Sequence, residues 1–454
     1  MRTNIGFNVI YYEDVMCAQA IQYSECSDEA DEYRPICNEL KILCPRLVPS
    51  PLWGISLANI ALMAPEAAEA ICDGCGIVAK AVREYWQRTS RIDKCSVCNT
   101  FGVVDIDEDW RYCIYSGYNQ TSASIHNMSS SPESIGIAYL KEVKPLCKQC
   151  HLAKHLGYSS VSGIYRDALS QLAQVNKIDL DKAEALAEIA FKIHRRLSEI
   201  KNWIIRLGQL PGIGDEETAR IETLLNEMYR KGFFIAGGWL RHRSWDEKAL
   251  HRAMEETAEV LLEAARFAGG SDLNSLKEEL SRAIKSAMEY KGVSVLENEL
   301  RLFIDLLFEK WPRLFNLLTS NIDKEDLKVK MYLAEELLVG KWVIFVKPSI
   351  CPQAFRTILD MLEEKGLAYS GKMLSNSYSY TRREKVPIII YVPSALAPNI
   401  VFDVAKVVDA VRSVLGISKP LIFKPDLFTF KGIYSKTSKY KPYIYIYRSS
   451  TTSL

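Results

Sequence analysis

Histidine is scarce in this 454-residue chain: there are six, and none follows His251. The C-terminal part therefore has no imidazole for acid–base work near neutral pH. Charge of one sign is also missing. The net charge is +1, so no overall field draws the chain to nucleic acid or a membrane, and any basic surface must be local. No apolar run reaches the roughly 20 residues that a membrane helix needs. Met1-Arg2-Thr3-Asn4 leads within a few positions to Tyr, Glu and Asp, unlike a signal peptide. The expectation is an intracellular, cytoplasmic protein with no membrane partner. Glutamine is sparse beside Lys, Glu, Ile and Tyr, a balance that leans towards thermophile proteins, some of which carry intracellular disulfides.

What is present is a globular composition, 48% hydrophobic and 25% charged, in a chain long enough for two to four domains. There are twelve cysteines, and all but Cys351 precede residue 151. That asymmetry favours metal coordination in the first third over a chain-wide disulfide framework. Cys95-Ser96-Val97-Cys98 and Cys147-Lys148-Gln149-Cys150 are two Cys-x2-Cys knuckles, and two such knuckles supply the four soft ligands of a tetrahedral zinc ion. The expected ligands are Cys95, Cys98, Cys147 and Cys150. The 48 residues between the knuckles include a Ser/Asn/Gly-rich segment, 115–136, read as an inserted loop. Asn119 and Asn127 within it match a glycosylation pattern, which carries no weight inside a cell. Cys37, Cys44, Cys72 and Cys75 offer a second four-sulfur site, the alternative being buried thiols or a disulfide.

Leu146-Cys147-Lys148-Gln149-Cys150-His151-Leu152-Ala153-Lys154-His155-Leu156-Gly157, together with the upstream knuckle, resembles the treble-clef zinc fold of HNH endonuclease relatives over about residues 92–176. The resemblance implies a strand histidine acting as general base and a neighbouring histidine ligating a divalent ion. In the corresponding strand, Val104-Asp105-Ile106-Asp107-Glu108-Asp109-Trp110, Asp107 stands where the base is expected, and an aspartate is a far weaker base near pH 7. His151 and His155, one helical turn apart, are candidates to hold an ion or a phosphate. The plainer reading makes His151 a support beside the zinc and His155 a surface residue. Lys154 is a candidate phosphate contact.

Four regions are expected: an N-terminal cysteine-containing segment (1–66), the zinc domain (67–176), a helical region (177–336) and an α/β domain (337–454). In the helical region, Asp179 is positioned to N-cap a helix carrying apolar residues every three or four positions through Ile204. Gly269-Gly270-Ser271-Asp272 breaks two further helices. Leu210-Pro211-Gly212-Ile213-Gly214 is similar to a helix-hairpin-helix hairpin, but Asp215, Glu216 and Glu217 would repel a phosphate there, and an ordinary interhelical turn is preferred. Strands are expected at 342–346, 387–392, 421–424 and 443–447, and helices at 352–365 and 399–415.

Asp403-Val404-Ala405-Lys406-Val407-Val408 and residues 419–434, with Gly340-Lys341-Trp342 and Gly371-Lys372-Met373-Leu374-Ser375, resemble the Bles03 family over about 337–435. That resemblance implies a curved antiparallel sheet backed by helices, similar to the cap-binding translation initiation factor. It also brings a phosphothreonine-lyase label, which a region without histidine does not support. Lys372, Arg382, Arg383, Lys385, Lys424 and Lys431 lie near Tyr378, Tyr380, Phe423, Phe428 and Tyr434 in the sequence. Basic groups interleaved with aromatics suit a phosphate-bearing, stackable ligand; solvated lysines and core aromatics are the plainer reading.

The expected fold class is multidomain α+β: a zinc treble clef, a helical middle and a C-terminal curved antiparallel sheet backed by helices. The expected function is non-catalytic, zinc-stabilised binding of nucleic acid or a ribonucleoprotein. A metal-dependent nuclease using Asp107, His151 and His155, and an interaction protein binding a protein partner through its helical region, are the alternatives.

Overall fold

The computed structural model describes residues 26–27, 29–102, 104–115, 134–269, 272–320, 322–376, 382–417, 419–434 and 438–448. Cys17, nearly all of the 115–136 segment with Asn119 and Asn127, and Tyr378 and Tyr380 lie outside them. The chain divides into two compact units, one from Met1–Ala61 with Val78–Tyr229, the other from Leu62–Ile77 with Arg230–Leu454. These are not the four regions expected from sequence. The expected helical region is mostly helical, but it is shared between the units and also supplies three short strands, at 233–236, 239–243 and 293–295, to the second unit's sheet, pairings that a local apolar period does not encode.

The first unit is built on a long hairpin. Strands β1 (Val104–Tyr115) and β2 (Ile135–Cys147) pair antiparallel with a bulge at Asp109/Trp110, and β3 (Asn202–Leu207) adds parallel to β2. Gly136 is required where Trp203 crosses the sheet, since a Cβ there would lie 2.6 Å from the indole. The last residue of β2 opens helix α1 (Lys148–Lys154), and α2 (Tyr165–Asn176) packs on α1. Asp179 N-caps α3 (Leu180–Ser198) by accepting from Lys182 N at 2.7 Å, as expected. That helix stops at Ser198, and Ile204 sits on β3. Residues 210–214 therefore turn from a strand into α4 (Asp215–Arg230), with Gly212 at φ +79°. No helix precedes the turn, so it is neither a helix-hairpin-helix nor interhelical.

The second unit holds an open eight-stranded antiparallel sheet backed by helices. Its strands are β4 (Phe233–Ala236), β5 (Trp239–Arg243), β6 (Val293–Val295), β7 (Gly340–Val346), β8 (Ser370–Leu374), β9 (Val386–Val392), β10 (Leu421–Pro425) and β11 (Tyr445–Tyr447), in the order β4-β5-β8-β9-β7-β10-β11-β6. The alternation expected of a half-buried sheet is plain. On β9, Val386, Ile388, Ile390 and Val392 are buried, while Pro387, Ile389 and Tyr391 are half-exposed. On the buried face, Trp342 donates Nε1–H to Val401 O at 2.9 Å and packs edge-on against Phe423. A Cβ at Gly340 would meet the Phe423 ring at 2.3 Å, so only glycine lets that ring lie flat there. Helices α5 (Cys351–Glu364) and α6 (Pro398–Val414) cover this face. Both begin and end within a residue of the expected bounds.

Among the described residues, three disulfides are present: Cys26–Cys113, Cys37–Cys44 and Cys72–Cys75. The second four-sulfur site proposed for Cys37, Cys44, Cys72 and Cys75 is therefore not formed; each pair closes on itself, Cys37–Cys44 in one unit and Cys72–Cys75 in the other. No helix among the described residues is long and apolar enough to cross a membrane.

Candidate metal centre and basic sheet face

In the first unit, the knuckle Cys95–Cys98 folds because Asn99 takes a left-handed conformation (φ 60°), which asparagine tolerates better than most residues. Asn99 N then donates to Cys95 O, and Cys95 N to Thr100 O. Ser96 ties the knuckle to the end of β2 through its N and Oγ, both donating to Pro145 O at 2.9 Å. Cys147 and Cys150 approach from the start of α1. The four sulfurs lie within 4.8 Å of one another and none is in a disulfide. A tetrahedral zinc with Zn–S of about 2.3 Å has S···S edges of about 3.8 Å; Cys98 and Cys147 are 3.6 Å apart.

The surroundings of the thiols shift them in opposite directions. Burial pushes Cys150 and Cys147 up. Burial also works against the Cys98 thiolate, but bonds from Thr100 and the neighbouring cysteines outweigh it and bring Cys98 to about 6. Gln171 on α2 reaches the Cys150 sulfur with its Nε2 at 3.5 Å, the kind of outer donor that steadies a metal thiolate. The set of four fits a metal ion.

Next to this cluster, β1 and α1 meet in a ladder of charges. Asp105, Asp107 and Asp109 alternate onto one face of β1, while His151, Lys154 and His155 follow each other round α1 at helical spacing. His151 Nδ1 meets Asp105 Oδ2 at 3.2 Å, and its Nε2 lies 3.8 Å from Asp107 Oδ1. His155 Nε2 meets the same Asp107 oxygen at 2.9 Å. Lys154 Nζ donates to Asp107 Oδ2, to Glu108 O at 3.2 Å and to Asp109 Oδ1 at 3.0 Å. Lys144 and Arg46 complete the shell around Asp109, and Arg46 also pairs with Asp31.

Asp107 is fully buried, and burial alone would raise its pKa. Lys154 and His155 reverse that and hold the carboxyl at about 2. It is thus an anion at neutral pH and no base. Burial, then His155, lowers His151, so its imidazole is neutral near pH 7. Asp107, His151 and His155 offer three ligand atoms within 4.8 Å of one another, with Asp105 orienting His151 as an outer carboxylate does for a ligating histidine. One expectation fails here. Lys154 is 2% exposed and its ammonium is consumed by two aspartates, so it cannot contact a phosphate.

In the second unit, the sheet's other face carries the charges. Cross-strand register aligns Arg241 with Lys372 and Lys372 with Ile389. One step along, Ser370 aligns with Tyr391, Tyr391 with Lys341, and Lys341 with Lys424. Paired residues share a face, so Arg241, Lys372, Tyr391, Lys341 and Lys424 project together from five strands. Lys372 Nζ lies 5.0 Å from the Trp239 ring centroid and 5.2 Å from that of Tyr391; Lys341 Nζ is 5.4 Å from the same Tyr391 ring. Lys424 Nζ sits 4.1 Å over Tyr434 and donates to Ile433 O. Lys341 pairs with Asp426. Burial first, then Lys341 and Arg241, lowers Lys372 to about 8; burial and Lys341 do the same to Lys424.

Of the expected ligand residues, Lys372 and Lys424 are on this face. Arg382, Arg383 and Lys385 are exposed on the connection before β9, off the sheet. Phe423 and Phe428 are fully buried core residues, and Lys431 pairs with Glu309. Trp239, Arg241, Lys341 and Tyr391 were missed. Only the β-period of 239–243, short and overshadowed by neighbouring helices, could have announced the first two.

Comparison of the chain with protein-family models and with curated proteins returns no match.

Proposed function

We propose that this is a zinc-stabilised nucleic-acid or ribonucleoprotein binding protein whose treble clef is a scaffold rather than a cutting centre. The observation that carries the reading is the face of the second unit's sheet, where Arg241, Lys372, Lys341 and Lys424 project among Trp239, Tyr391 and Tyr434. Cations track a phosphate backbone while rings stack on bases, and neither needs a particular sequence. In the first unit, zinc bound by Cys95, Cys98, Cys147 and Cys150 would fix the knuckle, hairpin and helix relative to one another. Its chemistry there is structural: four thiolates leave no open position for water.

The test is binding of short single-stranded RNA and DNA by fluorescence anisotropy across a salt series. Affinity should fall with salt, and Lys372→Ala and Lys424→Ala should each weaken binding and flatten the salt slope. Absence of binding to every strand at low salt refutes the reading.

A second reading, metal-dependent strand cleavage, is favoured by the convergence of Asp107, His151 and His155. It lacks a base, since Asp107 is held at about 2. Cutting dependent on Mg or Mn and abolished by His151→Ala would establish it; no cutting by the wild-type protein, or cutting that survives the change, removes this site.

A further inference from the structure

We infer that Arg241 and Lys372 seat a terminal phosphate monoester, carried by a free nucleotide or by the 5′ end of a strand. The inference rests on the nucleic-acid reading above and narrows it to one kind of phosphate.

Arg241 and Lys372 are directly opposed residues on β5 and β8, a position in which like charges destabilise a sheet. Among the described residues neither has a carboxylate or hydrogen-bond acceptor. Arg241 Nε is buried with no partner, and Lys372 has only the two aromatic rings beside it. The carboxylate acting on Lys372, Asp426, is already bound by Lys341. Nature does not commonly leave two adjacent cations half-desolvated without a counter-charge.

A ligand completing this pair needs two negative charges and several acceptor oxygens at one point. An internal phosphodiester brings one charge and leaves one cation uncompensated. A monoester has a second pKa of about 6 and three terminal oxygens, so above that pH it matches both cations, and arginine can take two oxygens at once. The adjoining cavity, about 510 Å³ and lined in part by Arg241, Arg243, Tyr332, Tyr391 and Phe430, lies within the size range of small-ligand sites. The Tyr391 ring at its edge offers a base something to stack on.

The groups facing Lys372 fix the pH behaviour: Arg241 from β5, Lys341 from β7, Asp426 after β10, and Tyr391, which burial keeps neutral by raising it to about 12. Glu335, Glu336 and Asp426 also line the cavity, and favour a ligand whose phosphate lies on the Arg241 side. Binding should weaken below about pH 6, as the phosphate takes up a proton, and again above pH 8, as Lys372 loses one.

The experiment compares one oligonucleotide sequence with a 5′-phosphate and with a 5′-hydroxyl, by anisotropy with the full chain. AMP and adenosine serve as competitors. The phosphorylated strand should bind about tenfold tighter or more, the scale of a lost charge-assisted contact. Lys372→Met should erase that preference, while Lys372→Arg, which preserves the charge, should retain most of it; circular dichroism identifies any variant that fails to fold. AMP competing as well as the strand would make a free nucleotide the source, and weak competition by AMP with the preference intact would make it a strand end; adenosine should not compete in either case. Equal affinity for the two strands, with AMP no better than adenosine, overturns the monoester seat and leaves the wider reading standing. No binding by either strand overturns both.

Discussion

The protein handles its charges in two opposite ways. In the first unit Asp105, Asp107 and Asp109 each find a basic partner on α1, and Lys154, though buried, has two carboxylates and a carbonyl. In the second unit Arg241 and Lys372 are also drawn out of water, but among the described residues neither is paired with a carboxylate; Asp426, which acts on Lys372, is bound by Lys341. A buried charge with every partner in place is part of the structure. A half-buried one without a partner lowers stability and is kept where a ligand completes it. The same residue types therefore belong to the architecture in one unit and, in our proposal, to binding in the other.

The largest expected effect tests the first half of that contrast at the neighbouring thiol cluster. Chelation, or Cys150→Ser, should unfold the first unit, because apparent zinc-binding energies of about 10–16 kcal/mol act as folding energy in small zinc domains. Elemental analysis should find about one zinc per chain. Zero would remove the metal scaffold, and two that persist in a His151→Ala variant would contradict the disulfides at Cys37–Cys44 and Cys72–Cys75.

Next in size is Lys154→Met. It leaves Asp107 buried and ionised beside Asp109, and should cost about 3–5 kcal/mol in denaturant unfolding. Combining it with Asp107→Asn should recover part of the loss. If the single change is neutral, the ladder is not structural, and the contrast between the units collapses.

Proton linkage gives a third test. Asp107 is depressed to about 2, so its contribution is complete above its unfolded value near 4 and disappears as pH falls from there towards 2. Glu108, on the other face of β1, behaves oppositely. Burial raises it to about 7, against bonds from Ala58 N and Trp110 Nε1. Its contribution is complete below its unfolded value and is lost as pH rises through 7. Glu108→Gln should flatten the pH dependence of stability between about 4.5 and 7 while leaving the acid limb intact.

The smallest effect has the opposite sign. Lys372→Met removes an uncompensated charge, so it should leave stability unchanged or raise it by up to about 1 kcal/mol, solvent screening limiting the gain. A loss above that would mean that Lys372 has a structural role and would weaken its assignment as a ligand residue.

Much of this was legible in the chain. The helices at 351–364 and 398–414 and the strands at 340–346, 386–392 and 421–425 were found to within a residue or two, because Pro, Gly and apolar alternation mark their limits locally. The four clustered thiols were legible for the same reason, as each knuckle is two cysteines at fixed short spacing. The 37/44/72/75 grouping failed because spacing cannot say which cysteines meet, and the two halves fold into different units.

Sequence by itself determined many of the helices, the strands of the C-terminal third, the four cysteines that cluster and the row of aspartates that β1 would carry. Only the tertiary structure decided which basic residues have partners. Lys154 looked available and is locked behind Asp107, whereas Arg241 looked like part of a helical region and stands open beside Lys372. Whether a charge is satisfied depends on what a distant segment brings to it, and strand register, set by packing along the whole sheet, is not written in any one segment.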